Sequence, residues 1–158
     1  MNNNDVYLGN PNLKKANTAI EFSQDNILEF LKCKDDPIYF TRKYIKIVSL
    51  DEGLVPFNMY DFQEKLIRRF HENRFNICKM PRQTGKSTTC VSYLLHYAIF
   101  NDNVNVAILA NKASTARDLL GRLQLAYENL PNWMQQGIIS WNKGSLELEN
   151  GSKISANS

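Results

Sequence analysis

Residues Asn76 to Thr88 read Asn-Ile-Cys-Lys-Met-Pro-Arg-Gln-Thr-Gly-Lys-Ser-Thr, a short apolar run ending in a tight basic turn closed by Gly-Lys-Ser. Phosphate binding needs unpaired backbone N–H groups pointing inward, a helix N-terminus behind them and a mobile cation. A strand–loop–helix unit around Gly85-Lys86-Ser87 supplies all three. In that arrangement Gly85 lets the backbone approach the anion and Lys86 reaches the β- and γ-phosphates of a nucleotide. The Ser87 hydroxyl becomes a magnesium ligand and Thr88 bonds the α-phosphate side, while Pro81, Gln83 and Thr84 form the turn itself. Such loops ordinarily carry glycine five positions before Gly85; this chain has Met80 there, and Pro81 can help make the turn. Arg82 has two open readings: a cis-acting arginine that spreads over the γ-phosphate charge in catalysis, or a surface arginine beside an anion. Gln63 lies a helix and a strand upstream. Its amide presents a donor and an acceptor side by side, which matches an adenine edge, although a glutamine at a helix start is more often simply solvated.

The elements that must position these residues can be read from spacing. A helix begins after Ser23 and runs to Lys34, and a second starts at Asp35-Asp36-Pro37 and reaches Tyr44. Ile45–Leu50 and Leu54–Phe57 form a small hairpin around Asp51-Glu52-Gly53. Tyr60–Glu72 is a helix with Phe62, Leu66, Ile67 and Phe70 along one stripe. Phe75–Met80 is a buried strand, and a helix runs from Gly85 to Phe100. Val104–Ala110 is a strand covered on both faces, and a long helix ends before Pro131. This strand–helix order predicts an α/β fold with a parallel sheet and helical crossovers. Three short strands, Ile138–Trp141, Ser145–Leu148 and Lys153–Ala156, close the sequence as antiparallel hairpins. Residues 1–22 read as a flexible polar tail, leaving one domain over residues 23–158.

Composition narrows the classes. The 158 residues are 43% hydrophobic with a net charge of only +3, so anion binding must come from local clusters. The three cysteines, Cys33, Cys78 and Cys90, lack metal-ligand spacing and read as free buried thiols. The polar opening, Met1–Asn12, does not read as a signal peptide, and the longest apolar run, Val91–Phe100, is too short to cross a bilayer. His71 and His96 have no partner at catalytic spacing. Arg68, Arg69, Arg74, Lys112 and Arg117 are candidates for DNA phosphate, with a solvated helix face as the plainer reading.

Four segments together resemble the large terminase subunit of T4-like tailed phages: Tyr60–Gln63, Pro81–Thr88, Ile108–Ser114 and Ile138–Ser152. The Arg-Gln-x-Gly-Lys core and the Trp-Asn-Lys-Gly-Ser element carry most of the specificity. The resemblance covers roughly Asp35 to Ser158. It implies a partial P-loop NTPase core of the additional-strand, conserved-glutamate type, with a small N-terminal helical and hairpin subdomain. It implies ATP and Mg2+ as cofactors, Gln63 at adenine, Lys86 and Arg82 as catalytic residues and Ser87 at the metal. Asn111–Ser114 resembles the element that faces or couples to DNA. The implied partners are double-stranded DNA, a portal protein and a small terminase subunit, with no membrane, in the host cell cytoplasm.

The family's Walker B strand, with its magnesium-binding aspartate and catalytic glutamate, has no counterpart in the sequence. Asp118, Glu128, Glu147 and Glu149 do not end an apolar strand in that context and read as surface acids. Weak hydrolysis, an exposed strand edge and a tendency to self-associate are the corresponding expectations. Two other readings stay open at this point: a superfamily-2 helicase-like DNA-dependent ATPase, and a non-catalytic split-gene product.

Overall fold

The structure is a computed structural model that describes residues 5–49 and 51–158. Its first helices form where local signals demand them. Helix α1 (Gln24–Asp35) starts at Ser23, whose hydroxyl accepts from the Asn26 amide at 3.1 Å. Helix α2 (Pro37–Tyr44) comes directly after it. The Asp36 carboxylate accepts from the Ile38 and Tyr39 amides, and Pro37 fills the first helical position, where no N–H is needed. Strands β3 (Lys46–Ser49) and β4 (Gly53–Pro56) pair antiparallel as the expected hairpin; Leu50, at its tip, lies outside the described residues. Helix α3 (Asp61–Glu72) leads toward the Gly-Lys-Ser segment, and helix α4 (Lys86–Phe100) leaves it.

Strand β5 (Asn105–Leu109) and helix α5 (Ala113–Glu128) come next, then β6 (Ile138–Trp141), β7 (Ser145–Leu148) and β8 (Lys153–Asn157). The four strands form one sheet in the order β5-β8-β7-β6. The β5–β8 pair is parallel, while β7–β8 and β6–β7 are antiparallel. Val106, Ile108, Leu146, Leu148 and Ile154 from the sheet join Leu95, Ile99, Leu120, Leu123 and Tyr127 from α4 and α5 in a single core. Burial of this kind is worth about 1.5–3 kcal/mol for each large aliphatic side chain, and it is what fixes α4 in place.

The molecule is thus mixed α/β with small sheets and five helices among its described residues, and several expectations change. The sheet is mixed rather than parallel, because α5 leads from β5 into β6 and the chain then returns through antiparallel hairpins to set β8 parallel to β5. Strand β5 is covered on one face only: Val106 and Ile108 are buried, whereas Leu109 is 71% exposed. Phe75–Met80 is not a buried strand. It runs without strand pairing among the described residues, and Phe75 and Ile77 stand in solvent. An apolar pattern signals burial only when another element covers it, and none of the described elements covers this one. Cys78 is exposed with it, and only Cys33 of the three thiols is fully buried.

The expected loose tail is ordered over much of its length; Met1–Asn4 lie outside the described residues. Strands β1 (Val6–Tyr7) and β2 (Asn10–Lys14) pair with each other. The chain beyond β2 then bridges to the sheet at Lys15 and Ile138. Leu13 is 2% exposed, and the Lys14 ammonium is held 3.1 Å from Glu149.

Candidate functional site

The turn between Met80 and Lys86 is made by two left-handed residues, Gln83 at φ 61° and Gly85 at φ 74°. Gly85 is the N-cap of α4, and the first backbone bond of that helix runs from the Thr89 amide to the Gly85 carbonyl at 2.9 Å. The amides of Lys86, Ser87 and Thr88 therefore precede the helical ladder, at the positive end of the helix dipole. Lys86 curls back over the turn. Its ammonium donates to the Met80 carbonyl at 3.2 Å and to the Pro81 carbonyl. Thr84 Oγ1 donates to the Pro81 carbonyl at 3.1 Å, closing the turn on itself. Arg82, Gln83 and Ser87 are exposed, and Thr84, Lys86 and Thr88 are half-buried. The loop thus combines a lysine on short tethers, an exposed hydroxyl at the helix start and amides that have no partner among the described residues. That donor set suits an anion with a divalent cation on its outer side, and it fits Mg-nucleotide through Lys86 and Ser87.

Gln63 is the buried brace of this loop. It is 3% exposed, its carbonyl accepts from the Tyr60 amide at 2.9 Å, and its amide nitrogen donates to the Thr84 carbonyl at 3.0 Å. The start of α3 is thereby tied to the turn before α4. A Cβ on Gly85 would lie 2.4 Å from the Gln63 nitrogen, so glycine is required there by contact as well as by φ.

The far end of α4 is also fastened. Asn150 Nδ2 donates to the carbonyls of Ala98 at 2.9 Å and Asn101 at 3.1 Å, and the Ser152 hydroxyl donates to Asn101 at 2.8 Å. These bonds satisfy carbonyls that the helix end leaves open. One residue earlier, Glu149 accepts from the Gly137 amide at 2.7 Å and the Asn17 amide at 2.9 Å, besides its pair with Lys14. Burial alone would raise the Glu149 pKa, but these three donors outweigh it and hold the carboxyl below its ordinary range. The expectation of a solvated surface acid therefore fails at Glu149.

A family model described as terminase large subunit, T4likevirus-type, N-terminal, matches residues 77–158, just over half of the chain. The chain belongs to that family. The match begins just ahead of the Met80–Lys86 turn and runs through the whole β5–β8 sheet, so the Asn150–Ser152 fastening of α4 is part of the terminase segment. Membership supports a phage DNA-packaging terminase in place of the helicase-like alternative.

The other predicted residues of this terminase chain are spread over its surface. Arg68 and Arg69 are exposed on α3, Lys112 and Arg117 at the start of α5. The Arg74 guanidinium lies 5.1 Å from the centre of the Phe75 ring. Trp133 packs edge-on against Tyr44 and Trp141 against Tyr127, as structural aromatics do. His96, given no role by spacing, is buried. Its Nε2 lies 2.8 Å from the Cys33 carbonyl, and Nδ1 has no hydrogen-bond partner among the described residues. Gln135 is not singled out by its sequence either. It is 2% exposed, accepts from the Lys14 amide at 3.0 Å and donates to the carbonyls of Asn12 at 2.9 Å and Leu130 at 3.1 Å. Neither residue can be found from periodicity, because Cys33 for His96, and Asn12 and Lys14 for Gln135, lie far away in sequence.

Proposed function

We propose that this chain is the ATP-binding part of a DNA-packaging terminase. In this reading it supplies the nucleotide site through which hydrolysis is coupled to movement of double-stranded DNA into a procapsid. The observation that carries the reading is the Lys86 ammonium curled over the Met80 and Pro81 carbonyls beside open amides at the start of α4. A triphosphate would take the ammonium from those carbonyls and bond the amides of Gly85 to Thr88. Ser87 would hold the magnesium, which when bound offsets charge on the β- and γ-oxygens. Arg82, exposed on the outer side of the turn, is the group available to a γ-phosphate from within the chain. Gln63 holds the turn in shape from behind; to meet an adenine edge it would have to release Tyr60 or Thr84. In this reading the partners are double-stranded DNA, a portal protein and a small terminase subunit, and the chain works in the host cytoplasm.

Turnover by the described residues alone is slow in this reading. Glu149 is engaged with Gly137, Asn17 and Lys14. Glu147 lies on β7 opposite Lys153, and Asp118 and Glu128 lie on α5. No hydrogen bond or ion pair joins any of the four to the loop among the described residues.

Calorimetry with Mg-ATP tests the proposal. The chain is expected to bind, and Lys86→Ala to lose binding by at least about a hundredfold, as expected when a charge-assisted contact worth about 3 kcal/mol is removed. Absence of heat from a folded sample, or full binding by Lys86→Ala, would overturn it.

A further inference from the structure

A cavity of about 260 Å³ opens between strand β3, the first turns of α4 and the second half of α5. Its wall is mostly aliphatic, with Ile47 and Val48 from β3, Val91 from α4 and Leu125 from α5. The buried Ser92 hydroxyl on this wall already donates to the Thr88 carbonyl at 2.9 Å, so the interior holds no unused donor there. The apolar surface continues outward, because Val48 pairs across the hairpin with Leu54 and both side chains are exposed. Cations stand beside these walls: Lys46 from β3 and Arg122 from α5 both line the cavity and both are exposed. Among the described residues neither side chain has an ion pair or a hydrogen bond. No carboxylate lines the cavity; Asp118, one turn before Arg122 on α5, lies outside it.

We propose that this cavity is a docking site for an acidic peptide segment of a partner protein. The segment inserts an aliphatic side chain between β3, α4 and α5 and sets its flanking carboxylates on Lys46 and Arg122. The size of the cavity favours a side chain, since sites for drug-sized ligands run from about 300 to 1,000 Å³. Its chemistry favours a peptide over a nucleic acid: no aromatic ring lines it for a base to stack on, and a phosphate backbone would meet the cations but leave the aliphatic walls unfilled. A carboxylate supplies what both cations lack, and the Arg122 guanidinium can take it through two parallel N–H donors. The apolar anchor then supplies affinity, while the charges set orientation and exclude basic partners. The proposal is independent of the nucleotide-binding reading.

Fluorescence anisotropy with labelled synthetic peptides tests the docking. The acidic probe is Glu-Asp-Leu-Leu-Glu-Asp. One control, Lys-Lys-Leu-Leu-Lys-Lys, reverses the charge, and the other, Glu-Asp-Gly-Gly-Glu-Asp, removes the anchor. The parent chain is expected to bind the acidic probe at least about tenfold more tightly than either control, a difference of about 1.4 kcal/mol. Lys46→Glu combined with Arg122→Glu should weaken the acidic probe by at least about tenfold and make the basic control the tighter ligand. If that double variant fails to fold by circular dichroism, Val48→Asp at the exposed edge carries the test, with the same loss expected for the acidic probe. A folded parent chain that does not bind the acidic probe, equal binding of all the peptides, or unchanged affinity in a folded variant would overturn the proposal. Displacement of the probe by an equal concentration of short duplex DNA would assign the cations to phosphate and overturn it as well.

Discussion

At the scale of single residues, Gly85 is constrained twice over. It sits at φ 74°, where an L side chain costs about 1–2 kcal/mol, and a Cβ there would press on the Gln63 amide. Gly85→Ala should therefore lower stability by about 2–4 kcal/mol, the sum of the backbone cost and the loss of one or two Gln63 hydrogen bonds at about 1 kcal/mol each. The clash makes a sharper forecast. Removing the amide in Gln63→Ala gives the new methyl room, so the double variant should be more stable than the two single costs predict. Urea denaturation of the four proteins measures this directly, and additive costs would show that the two side chains do not meet. Lys86 and Ser87 were legible as loop residues because their chemistry is written in adjacent positions. Glu149 was not, since the amides of Gly137 and Asn17 that engage it come from two other segments.

Helix α4 links the two ends of the candidate site at the scale of elements, with the loop at its N-terminus and Asn150 at its C-terminus. Asn150→Ala should cost about 1–2 kcal/mol, because the Ala98 and Asn101 carbonyls lose a donor in a partly buried place. Asn150→Asp should cost more. It keeps the oxygen that accepts from the Ser152 amide but sets a negative charge against the negative end of the helix dipole. Chemical denaturation that ranks Asp at or above Ala in stability would remove the capping role. The helices were readable because their signals are local: Ser23 caps α1, Asp36 caps α2, and Gly85 marks the turn into α4. Phe75–Met80 misled for the opposite reason. Its apolar residues match a buried strand, yet whether a strand is buried depends on its neighbours in space. The β1–β2 hairpin escaped notice likewise, since its anchors, Leu13 and Lys14, lie beside residues far along the chain; Lys14 bonds Gln135 and Glu149, more than a hundred positions away.

The whole molecule should be sensitive to acid, in two steps with different causes. Burial lowers the His96 pKa from an ordinary 6.5 to about 4, so the folded chain holds this imidazole neutral. The unfolded chain takes up a proton near pH 6.5 and the folded one does not. Stability from this group is thus complete above pH 6.5 and falls as pH drops toward 4, by up to about 3 kcal/mol. Glu29 acts lower. The Lys43 ammonium, with help from the Tyr39 and Tyr44 hydroxyls, holds its pKa at about 2 against an ordinary 4.5. Its stabilisation is present above pH 4.5 and is lost as pH falls from there toward 2; Glu149 adds in the same direction. Urea midpoints taken at steps from pH 7 to pH 3 should therefore decline from about 6.5 and steepen below about 4.5. His96→Gln can keep a donor for the Cys33 carbonyl but cannot titrate, so it should flatten the upper step and leave the lower one unchanged. A parent profile already level between pH 6.5 and 4.5 would mean that the imidazole takes its proton in the folded chain as readily as in the unfolded one. The packing of Phe40, Phe100 and Tyr93 around His96 would then have to open enough to admit water.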